Sequence, residues 1–379
     1  MKLSDVCGAI VDCEHKTAPI DPAGRFFAVG TPAMRGNTID YTQARRINAE
    51  TFGAWTQRLK PRHGDLLLAR EAPVGPVVSI PPEENVAPGQ RTVLLRPNPT
   101  VCVARFLLYY LGTPATQGRL NDLAAGSTVA HLNVADVRSF EVHLPDLATQ
   151  TAIADVLGAL DDKIAANERV VSSLDSLIRG LVSDLPSEES VRAGDIAALS
   201  PAKSVGGPVV PYLGLEHLPR RKLWSQGAGK SSEVTSLKSV FEEGDLLFGK
   251  LRPYFHKVVI AHHGGVCSTD ILVLRAKDQA LRGWVWAALS GDDVVAAANA
   301  SSTGTRMPRA SWAELAEVRV PWPGRRSAEV LSETVERLSA KAAATIAESA
   351  ALTATRDALL PELMSGRLTV DAVRDRVSM

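Results

Sequence analysis

Cysteine is scarce in this chain. Cys7, Cys13, Cys102 and Cys267 are the only four in 379 residues, and they are scattered. Cys7, Cys13 and His15 are conceivable metal ligands, but C-x5-C-x-H lacks the tight C-x2-C knuckle and no fourth ligand follows nearby. Buried or idle thiols are the expectation. Net charge is also absent: 42 basic side chains balance 42 acidic ones. That counts against nonspecific nucleic-acid binding, which usually rests on a basic surplus. No apolar run approaches the roughly 18 residues of a membrane span. The start, MKLSDVCGAIVDCEH, has no apolar core of a secretory signal, so a cytoplasmic protein without membrane association is expected.

Catalytic signatures are missing as well. There is no Gly-x-Ser-x-Gly, His-Glu-x-x-His, dinucleotide fingerprint or Asn/Asp-Pro-Pro-aromatic motif, and the eight histidines do not cluster with acids or serine. Two stretches imitate a phosphate-binding loop. QGAGKSS (Gln226–Ser232) has Trp224 where the first glycine belongs, and no apolar strand precedes it. GDLLFGKL (Gly244–Leu251) has the glycines and the lysine, but Leu251 replaces the metal-binding hydroxyl and apolar residues fill the would-be loop. Asp161-Asp162-Lys163, with Pro145-Asp146 upstream, imitates a nuclease pattern. Asp146 is better read as a helix cap and the other three as a solvated helix face. Catalysis by this chain alone is not expected.

What the chain does have is a repeat. HGDLLLAREAPVGPVVSI (His63–Ile80) is echoed by EGDLLFGKLRPYFHKVVI (Glu243–Ile260), 180 positions later. NVADVRSFEVHLP, ending at Pro145, is echoed by RASWAELAEVRVP, ending at Pro321. Asp65–Ala69, Val74–Ile80 and Arg91–Arg96 read as strands, and Asp245–Gly249, Lys257–Ala261 and Thr269–Arg275 as their counterparts. Val103–Leu111 and Leu281–Leu289 have helical spacing.

After each globular copy the period changes. Ile153, Leu157, Leu160, Ile164, Asn167, Val171, Leu174, Ile178 and Leu181 alternate by four and three, a heptad seam with one polar member. A helix over about 148–182 would be roughly 50 Å long and needs a partner to cover its stripe. The partner is Leu331, Val335, Leu338, Ala342, Thr345, Ser349, Leu352 and Leu359, a weaker stripe interrupted by Arg356, with Pro361 and Gly366 expected to break the helix. Two such helices most simply lie antiparallel, with Asn167 setting register or lying at the seam edge. The order unit–helix–unit–helix makes a pseudo-twofold molecule, suited to a target with two halves, of which duplex DNA is the commonest.

The distribution of charge softens the objection from zero net charge. The globular stretches 1–145 and 186–321 are each net +2, whereas 146–185 is net −4. Asn85–Asn121 and Leu246–Thr269 contain no acid, and such windows can lie along phosphates. The DNA-binding candidates are Arg70 and Lys250, which each follow the GDLL strand, then Arg252, Tyr254 and Lys257. Arg119, before the Gly126-Ser127-Thr128 turn, and Arg306 and Arg309, after the Ser302-Thr303-Gly304-Thr305 turn, complete the set. Arg and Lys donate to guanine O6/N7 or to phosphate, and residue type does not choose between them. A structural ion pair is the alternative for each.

GDLLLAR, GDLLFGKLRPYF, VCSTDILVLRA, PYLGLEHLP and GSTVAHLNVADVRSFEVHLPDLATQTAIADVLGALDDKIAANERV together resemble the specificity subunits of type I restriction–modification systems, over essentially the whole chain. The resemblance implies an α+β fold. Two target recognition domains (1–145 and 186–321) would each read half of a bipartite, asymmetric DNA site. They would be separated by two antiparallel coiled-coil spacer helices (146–185, and 322–379 including a C-terminal tail). It implies docking of methyltransferase subunits carrying S-adenosylmethionine, and of a motor–nuclease restriction subunit using ATP and Mg²⁺, with no cofactor in this chain. The second spacer departs from the family pattern. PWPGRRSAEV lacks the PLxEQ-like sequence that LPDLATQ partly keeps, which puts symmetric docking of two methyltransferases in question. A P-loop-type nucleotide enzyme and a coiled-coil scaffold without DNA recognition are the alternatives.

Overall fold

The GDLL stretch becomes an inner strand because it is apolar on both faces, the pattern of a strand covered from two sides. The computed structural model describes residues 1–379 apart from 125–129, 184–188, 205–208, 226, 234–235, 303–306 and 373–379. Within it, strand Leu66–Arg70 lies in an antiparallel sheet in the order Cys7–Asp12, Thr92–Pro97, Leu66–Arg70, Val74–Ser79. Leu66 and Leu68 face one core with Phe106, Leu107, Tyr109 and Leu111 of helix Ala104–Gly112. Leu67 and Ala69 face a second core with Val29, Val78, Ile80 and Leu94. A smaller sheet (Arg45–Ile47, Phe26–Val29, Val86–Pro88) stands on that second side, its last two strands parallel.

The second GDLL stretch does the same. Leu246–Gly249 lies in the order Ala197–Leu199, Ile271–Ala276, Leu246–Gly249, Val258–Ile260. Leu246 and Phe248 face Trp284, Val285 and Leu289 of helix Arg282–Leu289, and Leu247 faces Leu213, Val259 and Val273. Register repeats too: Leu66 pairs with Leu95, and Leu246 with Leu274. Both strands are entered through a glycine in the left-handed region, Gly64 at φ 83° and Gly244 at φ 88°, a conformation that a side chain would strain.

The chain folds as two compact units of mixed helix and sheet: Met1–Asp162 with Leu352–Met379, and Lys163–Ala351. The first long helix, Leu147–Ser183, and the second, Arg325–Met364, each pass from one unit into the other. Asp146 caps the first, its Oδ1 accepting from the Thr149 N–H at 2.8 Å. These hydrogen bonds hold its carboxyl below the ordinary carboxylate range.

In the first unit Ile153, Ala154 and Leu157 share a core with Leu359, Leu363 and Met364. Arg356 donates to Asp161 at 2.7 Å, and Asp161 also accepts from the Tyr109 hydroxyl at 2.6 Å. In the second unit Val171, Leu174 and Ile178 share a core with Leu331, Val335 and Leu338. Asn167 is 3% exposed, hence inside the seam and not at its edge, and donates from Nδ2 to Glu348 at 2.8 Å. The small, polar residues of the second helix have specific uses: Ser332 Oγ accepts from the Trp284 N–H at 3.0 Å and Ser339 Oγ from Trp224 Nε1 at 3.1 Å.

Pro361 does not break the second helix, contrary to expectation. It lies in the last turn, where its fixed φ fits a helix and only one backbone donor is lost. The stop is Gly366, at φ 72°, whose N–H reaches the Leu363 carbonyl while the Leu368 N–H reaches that of Glu362, a left-handed glycine cap.

Candidate nucleic-acid interface

Where each GDLL strand ends, the two units carry the same backbone device. The residue after the last strand bond donates and accepts in equivalent ways: Arg70 N–H to Arg91 O (2.8 Å) with Leu132 N–H to Arg70 O (2.9 Å), and Lys250 N–H to Asp270 O (3.0 Å) with Ala310 N–H to Lys250 O (2.9 Å). One residue on, Glu71 bridges His131 and Leu251 bridges Arg309. One further, Ala72 (φ 50°) and Arg252 (φ 52°) are left-handed without being glycine. Residues held in such sparsely populated regions concentrate at functional sites.

The side chains on this shared frame differ. In the first unit Arg70 is 11% exposed and engaged internally, to Leu132 O at 2.7 Å and Asp12 at 3.0 Å. In the second unit Lys250 takes the equivalent place, and its ammonium has no partner among the described residues. Arg252 donates its backbone N–H to Pro308 O at 2.8 Å, and its buried Nε has no hydrogen-bond partner among the described residues. Tyr254 is 53% exposed and packs edge-on against Phe255, over whose ring the Arg220 guanidinium sits at 3.9 Å. Arg309 meets Asp270 at 3.3 Å and stays half exposed.

Lys250, Arg252, Tyr254 and Arg309 are thus brought to one strand exit. Lys257 and Arg119 are not available in the same way. Lys257 donates to the Leu215 carbonyl, and burial with the nearby Arg220 charge pulls its ammonium below the ordinary lysine range. Arg119 donates to Glu141 O at 2.7 Å and lies over the Phe140 ring. Arg306, the turn Gly126-Ser127-Thr128, and the Thr303–Thr305 part of the other turn lie outside the described residues.

Sequence reasoning missed Arg220 and Phe255, since a cation stacked on an aromatic ring leaves no spacing signature. It also missed the brace beneath them. His256, 2% exposed and left-handed (φ 50°), reaches Ser290 O at 3.0 Å and Asp292 at 3.1 Å. Burial, with Arg179 nearby, lowers its pKa. Arg179 itself reaches Ser290 O at 3.1 Å and Asp175 at 3.1 Å, so the loop is braced on the first long helix.

Neither phosphate-loop imitation feeds an α-helix N-terminus. Gly229–Lys230 is a short strand paired with Pro211–Tyr212, and Leu246–Gly249 is the sheet strand itself. Asp161 and Asp162 are held by Tyr109, Arg356 and Arg105. Among the described residues no group of three or more His, Cys, Asp or Glu is placed to hold a metal ion, and no helix is long and apolar enough to cross a membrane.

Residues 18–174 match the family model of the type I restriction modification DNA specificity domain. The type I restriction enzyme EcoDI specificity subunit of Escherichia coli is 23% identical over 300 residues, which cover 67% of this chain and 66% of that protein, just under two thirds of its length. The crystal structure of a type I restriction-modification system S subunit from M. genitalium is similar in fold, with a TM-score of 0.61 at 15% identity over 96% of this chain and 95% of that one. The GDLL frame is duplicated down to its hydrogen bonds, and the chain is similar to type I restriction–modification specificity subunits, with the DNA specificity domain matched over residues 18–174.

Proposed function

We propose that this protein is the subunit that gives a type I restriction–modification complex its DNA sequence specificity, each unit reading one half of a bipartite, asymmetric duplex site. The observation that carries the reading is the duplicated strand exit. One backbone frame occurs twice and presents a different side-chain set each time: Ala72 and Arg91 in one unit; Lys250, Arg252, Tyr254 and Arg309 in the other. A repeated frame with divergent exposed cations suits two half-sites of different sequence, since phosphate contacts position a protein and base contacts specify.

In this reading the two repeats are related by a pseudo-twofold. The long helices act as coiled-coil spacers that set the gap between half-sites and offer docking faces for methyltransferase and restriction subunits in the cytoplasm. The chain itself is not catalytic. S-adenosylmethionine, ATP and Mg²⁺ belong to the partner subunits, because the two glycine–lysine stretches here are strands and not phosphate loops.

The test is co-expression with the methyltransferase subunit of its own system in a host lacking other methylation, followed by single-molecule mapping of modified adenines. The expected result is one split motif, of which one half changes when residues 1–145 are exchanged for those of another family member. A soluble complex that methylates nothing new overturns the reading.

A further inference from the structure

The first unit contains a cleft with a polar rim that none of the cations predicted from sequence to bind DNA lines. It has a volume of about 230 Å³ and opens beside Ala72 and Arg91. Its floor is made of small residues and bare backbone. Gly89 donates its N–H to Val29 O at 2.8 Å, and a Cβ on Gly89 would lie 2.5 Å from the Gly30 nitrogen. Its rim is polar and exposed: Thr17, Gln43, Arg45, Gln90 and Arg91. Two left-handed residues, Ala72 at φ 50° and Arg91 at φ 71°, hold this rim in a conformation that ordinary folding does not favour.

The polar groups on the rim are weakly engaged. Arg45 reaches Ala18 O only at 3.5 Å, and Arg91 reaches Glu71 at 3.4 Å. Gln90 is the exception in a useful way. The Thr17 hydroxyl donates to its Oε1 at 3.2 Å, which favours one orientation of the amide. Gln90 is exposed, and its Nε2 makes no hydrogen bond among the described residues. That donor–acceptor pair on one rigid plane is the chemistry that reads an adenine edge, with Nε2 donating to N7 and Oε1 accepting from N6.

We propose that this cleft is the base-reading site of the first unit, that Gln90 reads an adenine edge in its half-site, and that Thr17 is its positioning residue. Arg45 and Arg91 supply the positive rim that holds the neighbouring backbone phosphates. The proposal rests on the DNA-specificity reading and narrows it to one residue and one base.

The experiment uses the full chain assembled with its methyltransferase, and a plasmid library in which the half-site assigned to residues 1–145 is randomised. Gln90→Ala is expected to relax discrimination at one adenine position about ten- to a hundred-fold, leaving the other half-site and the gap unchanged. Gln90→Glu, nearly isosteric, replaces the donor by an acceptor and is expected to shift preference at that position from adenine to cytosine. Thr17→Val, which frees the amide, is expected to weaken discrimination at the same position. Gln90 variants that keep the wild-type motif and efficiency within two-fold overturn the proposal. So does a uniform loss over all positions with an unchanged melting temperature, which marks a role other than base reading. A wild-type complex that yields no split motif overturns the DNA-specificity reading itself, and this inference with it.

Discussion

Arg96 grips Asp65 with two parallel hydrogen bonds, Nε to Oδ1 at 2.9 Å and Nη2 to Oδ2 at 2.6 Å, and Asp65 is almost wholly buried. The same carboxylate accepts the Arg62 N–H at 2.9 Å, closing the turn that launches the GDLL strand. Arg275 and Asp245 repeat the fork at 2.7 and 2.8 Å, with the Glu242 N–H at 2.8 Å closing the turn. The aspartate of each GDLL is therefore a structural clasp on the neighbouring strand. Removing one partner of a buried pair leaves an uncompensated group. Asp65→Ala is expected to destabilise the first unit by about 2–4 kcal/mol, measured by denaturant unfolding. A loss below about 1 kcal/mol sinks the idea.

Asn167 makes the opposite prediction. It is buried and donates to Glu348, whose own carboxylate is half exposed. Asn167→Leu removes a buried polar group and leaves Glu348 to water and Lys163. Replacing the asparagine is expected to stabilise the second unit by about 1 kcal/mol, seen as a higher melting temperature. A fall in melting temperature means that the Asn167–Glu348 bond stabilises the fold outright and is not a specificity device.

These two residues also show what can be read from a linear chain. The GDLL pairing, the heptad seam, the cap at Asp146 and the equivalence of the two strand sets are legible because each is a local pattern of polarity and turn chemistry. The fates of the cations are not. Arg70 and Lys250 occupy one position in the repeat, yet Asp12, from the strand two places away in the sheet, takes up the arginine. Gln90 becomes interesting only because Thr17, 73 positions away, orients it. Pro361 reads as a breaker, and its place in the last helical turn makes it tolerable.

A third prediction concerns pH. His262 is largely buried beside Trp224, with ring centroids 6.2 Å apart, and its Nε2 has no hydrogen-bond partner among the described residues. Burial, with a smaller contribution from His263, lowers its pKa from 6.5 to about 4. Glu243, Arg282, Glu336 and Arg337 line the same cavity. The unfolded chain takes up a proton near 6.5 while the folded one resists until about 4. Stability is therefore full above the unfolded value and falls as pH drops through this window. The second unit is expected to lose up to about 3 kcal/mol between these limits. His262→Gln should flatten that limb of a melting-temperature profile; a variant as acid-sensitive as the wild type refutes the assignment.

The strand exits themselves supply the sharpest contrast. Arg70 is only 11% exposed and bonded to Leu132 and Asp12, whereas the Lys250 ammonium, at the equivalent position, has no partner among the described residues. Arg70→Met strands a carboxylate and a carbonyl, so it is expected to lower stability by about 2–3 kcal/mol while leaving the methylated motif intact where the complex still assembles. Lys250→Ala touches no internal bond and is expected to change stability by less than about 0.5 kcal/mol. If Lys250 neutralises a phosphate as proposed, the slope of log binding constant against log salt for the assembled complex should fall by about one. Measuring both variants for melting temperature and salt slope separates the roles. If Arg70→Met relaxes one half-site without lowering the melting temperature, or Lys250→Ala leaves the salt slope unchanged, then the internal contacts around Arg70 and the free ammonium at Lys250 do not divide support from DNA contact as this geometry requires.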